Sequence, residues 1–309
     1  MLEEFKGHQP VLINEITHYL TEKLLSQQNY FADLTFGGGG HTQALLHQDP
    51  RICFLAMDQD IEAVSAGRTN ISPQFPGRLD IFHSNFARAP ECFIEFQKKQ
   101  QGEVKFQGLL MDLGVSSHQF DCPPRGFSFQ NDGPLDMRMD YTDNQTTAAE
   151  IVNNWPEESL IEIFREYGED RLAKKIAQKI VYYRGKQIIK TTKELENIIF
   201  HSYPPAMRKG RIHPATRVFQ ALRIAVNDEL KVLADTIPQL FPFMALGGRL
   251  AIISFHSLED RIVKNIFRDH AKKDHSFKIL TKKPITPTPE EQKLNPRSRS
   301  AKLRILEKV

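Results

Sequence analysis

The chain has 309 residues, 40% of them hydrophobic and 26% charged, enough for one large domain or two ordinary ones with a real core and a soluble surface. No run of about 18 or more apolar residues occurs, which argues against a membrane-spanning helix. The net charge of +3 is modest, and the 3 cysteines, Cys53, Cys92 and Cys122, are scattered without metal-ligand spacing, as expected of reduced thiols in a cytoplasmic protein.

Residues 1–6 are polar and acidic, which argues against a signal peptide. Residues 11–20 carry an amphipathic helical pattern ahead of a first strand that ends at Asp33. Four contiguous glycines, Gly37 to Gly40, follow, and then His41, Thr42 and a helical run. Without Cβ atoms the main chain can bend sharply and lie against a ligand, with the first helical N–H groups pointing back at it. A second strand, 52–57, ends on Asp58. An acidic residue at a strand tip about 20 residues past a glycine turn suits the hydroxyls of a ribose, so a nucleoside-containing cofactor is expected. Asp60 suits a helix N-cap. Residues 78–82 form a third strand leading to His83, Asn85 and Phe86, and 106–111 a fourth ending at Asp112. Strands alternating with helices predict a parallel sheet wrapped by helices.

From 123 to 222 no strand is expected. Helical periods at 157–167, 171–183 and 192–201 read as a helical domain inserted into the α/β domain. A long helix over 218–240 returns the chain to a fifth strand, 247–254, followed by His256 and Glu259, with Ser257 and Asp260 as a helix cap pattern. Residues 276–281 and 301–307 are strand-like with no helical period between them, so they pair antiparallel. A parallel sheet finished by such a hairpin is the form of S-adenosylmethionine-dependent methyltransferases. The glycine turn also lacks G-x-G-x-x-G spacing, against a dinucleotide. The expected fold is therefore α/β: a Rossmann-like methyltransferase sheet over 1–122 and 223–309 with an inserted helical substrate-recognition domain at 123–222. Basic clusters at 207–213 and 271–309 suit a polyanion such as nucleic acid, with a solvated loop surface as the plain alternative.

Long stretches starting at Asp33, Met111, Arg125, Asp132, His213 and Ser254 together resemble one family, the bacterial small-subunit (16S) rRNA cytosine-N4 methyltransferases, also called RsmH or MraW. The resemblance covers essentially the whole chain. It implies methylation of one decoding-centre cytidine of 16S rRNA, within the small ribosomal subunit, on its exocyclic amine, with S-adenosyl-L-methionine as donor. It also implies that Gly39, Gly40 and His41 line the methionine and ribose side of the cofactor. Asp58 would take the ribose hydroxyls, Phe86 would border the adenine, and Asp112 and Gln119 would complete the pocket.

Asp112 and His256 are the expected catalytic residues, at the rim of the crevice. The Asp/Asn-Pro-Pro-aromatic motif of many amino-methyltransferases is replaced here by Asp112-Leu-Gly114, and Cys122-Pro-Pro-Arg125 reads as a loop. Phe127 and Phe129 read as core anchors. No metal is needed for methyl transfer from a sulfonium, and no metal motif is present. The sequence leaves the oligomeric state open, a homodimer included.

Overall fold

Short runs buried on both faces make central strands. The computed structural model describes residues 10–142, 144–210 and 212–309. The strands are β1 (Asn29–Asp33), β2 (Ile52–Asp58), β3 (Leu79–His83), β4 (Phe106–Asp112), β5 (Met244–Ser254), β6 (Phe277–Ile279) and β7 (Lys302–Lys308). They form one seven-stranded sheet in the order β3-β2-β1-β4-β5-β7-β6. β1 to β5 are parallel, and β7 runs antiparallel to both β5 and β6, so the expected terminal hairpin is present. The strand order reverses between β1 and β4. That switch point opens a crevice at the carboxyl ends of the strands, where α/β sheets bind ligands.

The helices are α1 (Ile13–Thr21), α2 (Gly40–Gln48), α3 (Ile61–Asn70), α4 (Ala89–Lys99), α5 (Ser117–Asp121), α6 (Ala148–Asn154), α7 (Glu157–Glu166), α8 (Ala173–Arg184), α9 (Thr192–Ser202), α10 (Ala215–Asn227), α11 (Glu229–Leu240), α12 (Ser257–Lys273) and α13 (Pro289–Leu294). The chain divides into two compact units. One runs up to Gly114 and from Leu230 onward; the other is Val115–Glu229.

In the sheet unit, the two-residue period of the strands sorts side chains onto opposite faces. Phe31, Phe54, Ala56, Leu110 and Ile253 pack with Leu12 at the N-cap of α1, Ile16 of α1 and Leu45 of α2. Ala32, Leu55, Met57, Leu109 and Ile252 pack with Phe93 of α4, Ile237 of α11 and Phe267 of α12. The helical unit has its own core, including Ile151, Leu160, Phe164, Ile176, Ile180, Leu195, Ile199, Phe219 and Leu222. Val115 and Phe120 pack against that core at one end and Ala225 and Val226 at the other. Packing thus carries the unit to 115 and 229, beyond the expected limits of 123 and 222.

Other expectations need correction. The single helix over 218–240 is two helices, because Asp228 takes a left-handed conformation with φ +49°. Asn227 is the last residue of α10, and its side chain fixes this end of the helix: its Oδ1 accepts the Met139 N–H at 2.8 Å, and its Nδ2 donates to the carbonyls of Met137 and Arg223. The connection before β7 contains α13 and a short 3-10 turn, Pro296–Ser300. Of the basic cluster at 207–213, Arg211 lies outside the described residues. Phe127 is buried, and Phe129 packs on Phe219 with ring centroids 4.9 Å apart, as core anchors should.

Candidate active site

The site is built at the ends of β2, β1 and β4, each of which finishes on an aspartate. Asp33, buried at the end of β1, accepts from the Thr42 hydroxyl at 2.7 Å and the Thr35 N–H at 3.1 Å. It therefore ties the strand to both sides of the glycine turn. Burial pushes its carboxyl up to about 6 against these donors. Sequence reasoning missed Asp33 as a positioning group, although a strand-final aspartate ahead of the glycines was its signal.

Asp58 at the end of β2 accepts from the Gly37 N–H at 2.7 Å through Oδ2 and from the Asp60 N–H at 2.8 Å through Oδ1. Each oxygen holds one backbone donor and retains a lone pair for a second, the pattern that a pair of vicinal hydroxyls can complete. Burial raises its carboxyl to about 6, against those two donors. Asp60 itself caps α3 by accepting the Glu62 N–H at 3.0 Å, as expected.

The glycine turn has a different rationale from the expected one at two of its positions. Gly39 sits at φ +72°, and a Cβ there would lie 2.6 Å from Ile71 and 2.7 Å from Phe36. At Gly40 a Cβ would lie 2.5 Å from Pro10. These two are glycines because the protein packs against them. Gly38 is the open position among the described residues, with none of them within 4 Å of an added Cβ.

His41, in the first turn of α2, is buried, with Nε2 2.8 Å from the Val11 carbonyl and Nδ1 3.7 Å from Oδ2 of Asp112. A carbonyl only accepts, so Nε2 carries a proton and Nδ1 faces the carboxylate. Asp112 donates its N–H to Thr35 Oγ1 at 2.6 Å. Its Oδ1 is buried with no partner among the described residues. Burial raises Asp112 to about 6; His41 opposes the rise, and the Asp33 and Glu259 carboxylates add to it. A buried carboxylate oxygen without a hydrogen-bond partner, at the end of a strand on the ligand-binding side of the sheet, is a feature a fold seldom retains without a ligand.

Phe86 follows β3 in a 3-10 turn, Phe86–Arg88, and packs half-buried against the sheet core. Asn85 caps that turn and donates to Gln59 Oε1 at 2.5 Å. Gln119 belongs to the helical unit, where its Oε1 accepts the Ser116 N–H at 3.0 Å in a capping box that starts α5.

His256, expected as catalytic, is the N-cap of α12. Its Nδ1 accepts the Glu259 N–H at 3.4 Å, and Glu259 Oε2 accepts the Phe255 and His256 N–H groups at 2.8 and 3.3 Å. The cap is therefore His256 with Glu259, one residue earlier than the expected pair. Asp260 instead accepts from Arg304 of β7 at 2.6 Å, and Lys302 lies 3.4 Å away.

A sheet of this order with an antiparallel seventh strand, ending in three aspartates around a glycine turn, defines a nucleoside-binding α/β domain of the methyltransferase class. The chain belongs to the MraW methylase family, whose model matches residues 5–309. It is 47% identical to the ribosomal RNA small subunit methyltransferase H of a Synechococcus strain over 300 residues, 96% of this chain and 91% of that one. It is 48% identical to the protein of the same name from a Picosynechococcus strain, covering 99% and 98%, and 43% identical to that of Sulfurihydrogenibium azorense, covering 98% and 99%. Among solved structures, an rRNA methylase from Streptococcus thermophilus aligns with TM-score 0.45 at 10% identity, over 98% of this chain and 99% of that one.

Proposed function

We propose that the protein transfers the methyl group of S-adenosyl-L-methionine to the exocyclic N4 of a decoding-centre cytidine in the 16S rRNA of the small ribosomal subunit. Family membership supports the reaction class, and the observation that carries the chemistry is the Asp112 carboxylate. One of its oxygens faces His41 and the other is buried without a partner among the described residues.

The residues fit the cofactor. Asp58 has a lone pair on each oxygen for the two ribose hydroxyls, and Phe86 is placed after β3 to border an adenine. Gly39, Gly40 and His41 line the methionine and ribose side beside open Gly38. When bound, the sulfonium supplies a methyl group already attached to a good leaving group. The task left to the protein is alignment of the amine in line with it.

Cytosine N4 is a weak nucleophile because its lone pair is delocalised into the ring. Asp112 accepts from the N4 hydrogens and biases the nitrogen toward tetrahedral geometry. As N4 becomes cationic, one N–H bond breaks and its proton passes to the carboxylate, whose raised pKa of about 6 suits it to accept. The target base leaves its stack to reach the crevice, and the inserted helices hold the surrounding rRNA. Acting on the small ribosomal subunit, the enzyme works in the cytoplasm. His256 supports the site through the cap of α12.

The test is incubation with methyl-labelled cofactor and small subunits from a strain lacking the enzyme, followed by mapping of the modified nucleotide. Label on cytidine N4 is expected. Label on a ring carbon or on protein overturns the assignment.

A further inference from the structure

From Arg171 to Lys193 the chain carries eight Lys or Arg and no Asp or Glu, a run of +8 in a protein whose total is +3. Basicity is thus concentrated here and outweighed elsewhere. The run contains α8, whose inner residues Ile176, Ala177 and Ile180 are in the core of the helical unit. Its outward positions fall at four-residue intervals: Lys174, Gln178 and Tyr182 in one row, and Lys175, Lys179 and Tyr183 beside it, all exposed.

At the start of α8, Arg165, Arg171 and Lys174 line a cavity of about 290 Å³ together with Glu169, Asp170 and Ala173. None of the three cations has a hydrogen bond or ion pair among the described residues. Among the described residues Asp170 makes no ion pair with them: one of its oxygens accepts the Leu172 N–H at 2.8 Å and the other the Tyr203 hydroxyl. Glu169 is the remaining acid on the rim. The α8 N-cap, Leu172, offers no side-chain acceptor, so the positive end of the helix adds to the three cations.

At the other end, Tyr182 and Tyr183 are 54% and 43% exposed, too much surface for core aromatics. Lys186 lies 4.2 Å from the Tyr182 ring centroid and donates to its hydroxyl at 2.5 Å. Cations that line a groove, followed by exposed aromatics, are the two components of a single-strand nucleic-acid surface: the cations track phosphates, and the rings stack bases.

We propose that the outer face of α8 and its N-terminal cavity bind a single-stranded segment of the substrate rRNA. Arg165, Arg171 and Lys174 take a phosphate, Lys175 and Lys179 track the backbone, and Tyr182 stacks on a base. This rests on the rRNA reading above and gives that substrate a specific docking face.

The test uses the full chain with Arg171→Gln, Lys174→Gln and Lys179→Gln combined, and separately Tyr182→Ala and Tyr182→Phe. Thermal melting and calorimetric S-adenosylmethionine binding should match the unaltered protein. The triple variant should bind protein-free 16S rRNA roughly tenfold or more weakly, and its salt slope should be shallower by about 1, since the phosphate shared with Arg165 loses two of its three cations and the phosphate at Lys179 loses its partner, at about 0.7 per phosphate on a single strand. Tyr182→Ala should weaken binding roughly tenfold without changing the slope, and Tyr182→Phe should restore it. Unaltered rRNA affinity and slope in the triple variant overturn the face. Weaker binding to intact subunits but not to protein-free rRNA assigns the face to an acidic protein and also overturns it. Failure of the unaltered protein to bind small-subunit rRNA overturns the substrate reading itself.

Discussion

The Gly37 N–H donates to Asp58 Oδ2 at 2.7 Å, so the glycine turn and the tip of β2 form one hydrogen-bonded unit. A residue that serves a ribose therefore also shapes the loop over the cofactor. Asp58→Ala removes both acceptors and should raise the S-adenosylmethionine Kd by about tenfold to a hundredfold, the effect of losing one or two hydrogen bonds to a charged group. Isothermal calorimetry reads this directly, and unchanged affinity removes Asp58 from the ribose role.

Asp33, Asp58 and Asp112 are each raised from 3.8 to about 6, with burial the first cause. Between pH 4 and 6 the folded state holds protons that the unfolded state has released. The contribution of these groups to stability therefore falls as pH rises through that window, and the loss is complete above about 6. Cofactor affinity should run the other way, rising across pH 6 as Asp58 and Asp112 become charged acceptors. In Asp33→Asn the fall in stability between pH 4 and 6 should be shallower than in the unaltered protein. Denaturant melts across pH measure it, and an identical slope shows that Asp33 does not titrate there.

The glycines should respond differently to alanine. Gly39→Ala forces a side chain into a left-handed conformation against Phe36 and Ile71, and should cost about 1–3 kcal/mol of stability. Gly38→Ala meets none of the described residues, so its melting temperature should hold while cofactor affinity falls. Equal losses of stability in both would show that the open side of the turn is structural.

His256 is placed to hold the start of α12. His256→Ala should cost about 1 kcal/mol, and His256→Asn, which keeps an N-cap acceptor, should recover most of it. Turnover of His256→Asn on small subunits should remain near that of the unaltered protein. A hundredfold loss of turnover at full stability would return His256 to direct contact with the base.

The hydrophobic runs at 52–57 and 106–111, and the aspartates that end them, were legible because strand identity and strand-tip position depend on neighbouring residues. The same holds for the Asp60 cap, whose partner is two residues away. The shift from Ser257 and Asp260 to His256 and Glu259 was not legible. Both pairs have a side-chain acceptor and an acid three residues apart, and Asp260 is claimed by Arg304, which is 44 residues distant. The break at Asp228 was hidden for a similar reason, since the partners of Asn227 lie about 90 residues earlier.

The sequence alone determined the α/β class, the glycine turn, the acidic strand ends and the family, because these depend on local pattern and composition. Tertiary structure decided what each of those residues does. Packing against Phe36, Ile71 and Pro10 explains Gly39 and Gly40. Thr35 takes the N–H of Asp112 from 77 residues away. The sheet order brings Asp33, Asp58 and Asp112 to neighbouring strand ends, where burial raises each carboxyl to about 6. Hydrogen bonding and desolvation depend on distance in space, and only the folded sheet sets those distances.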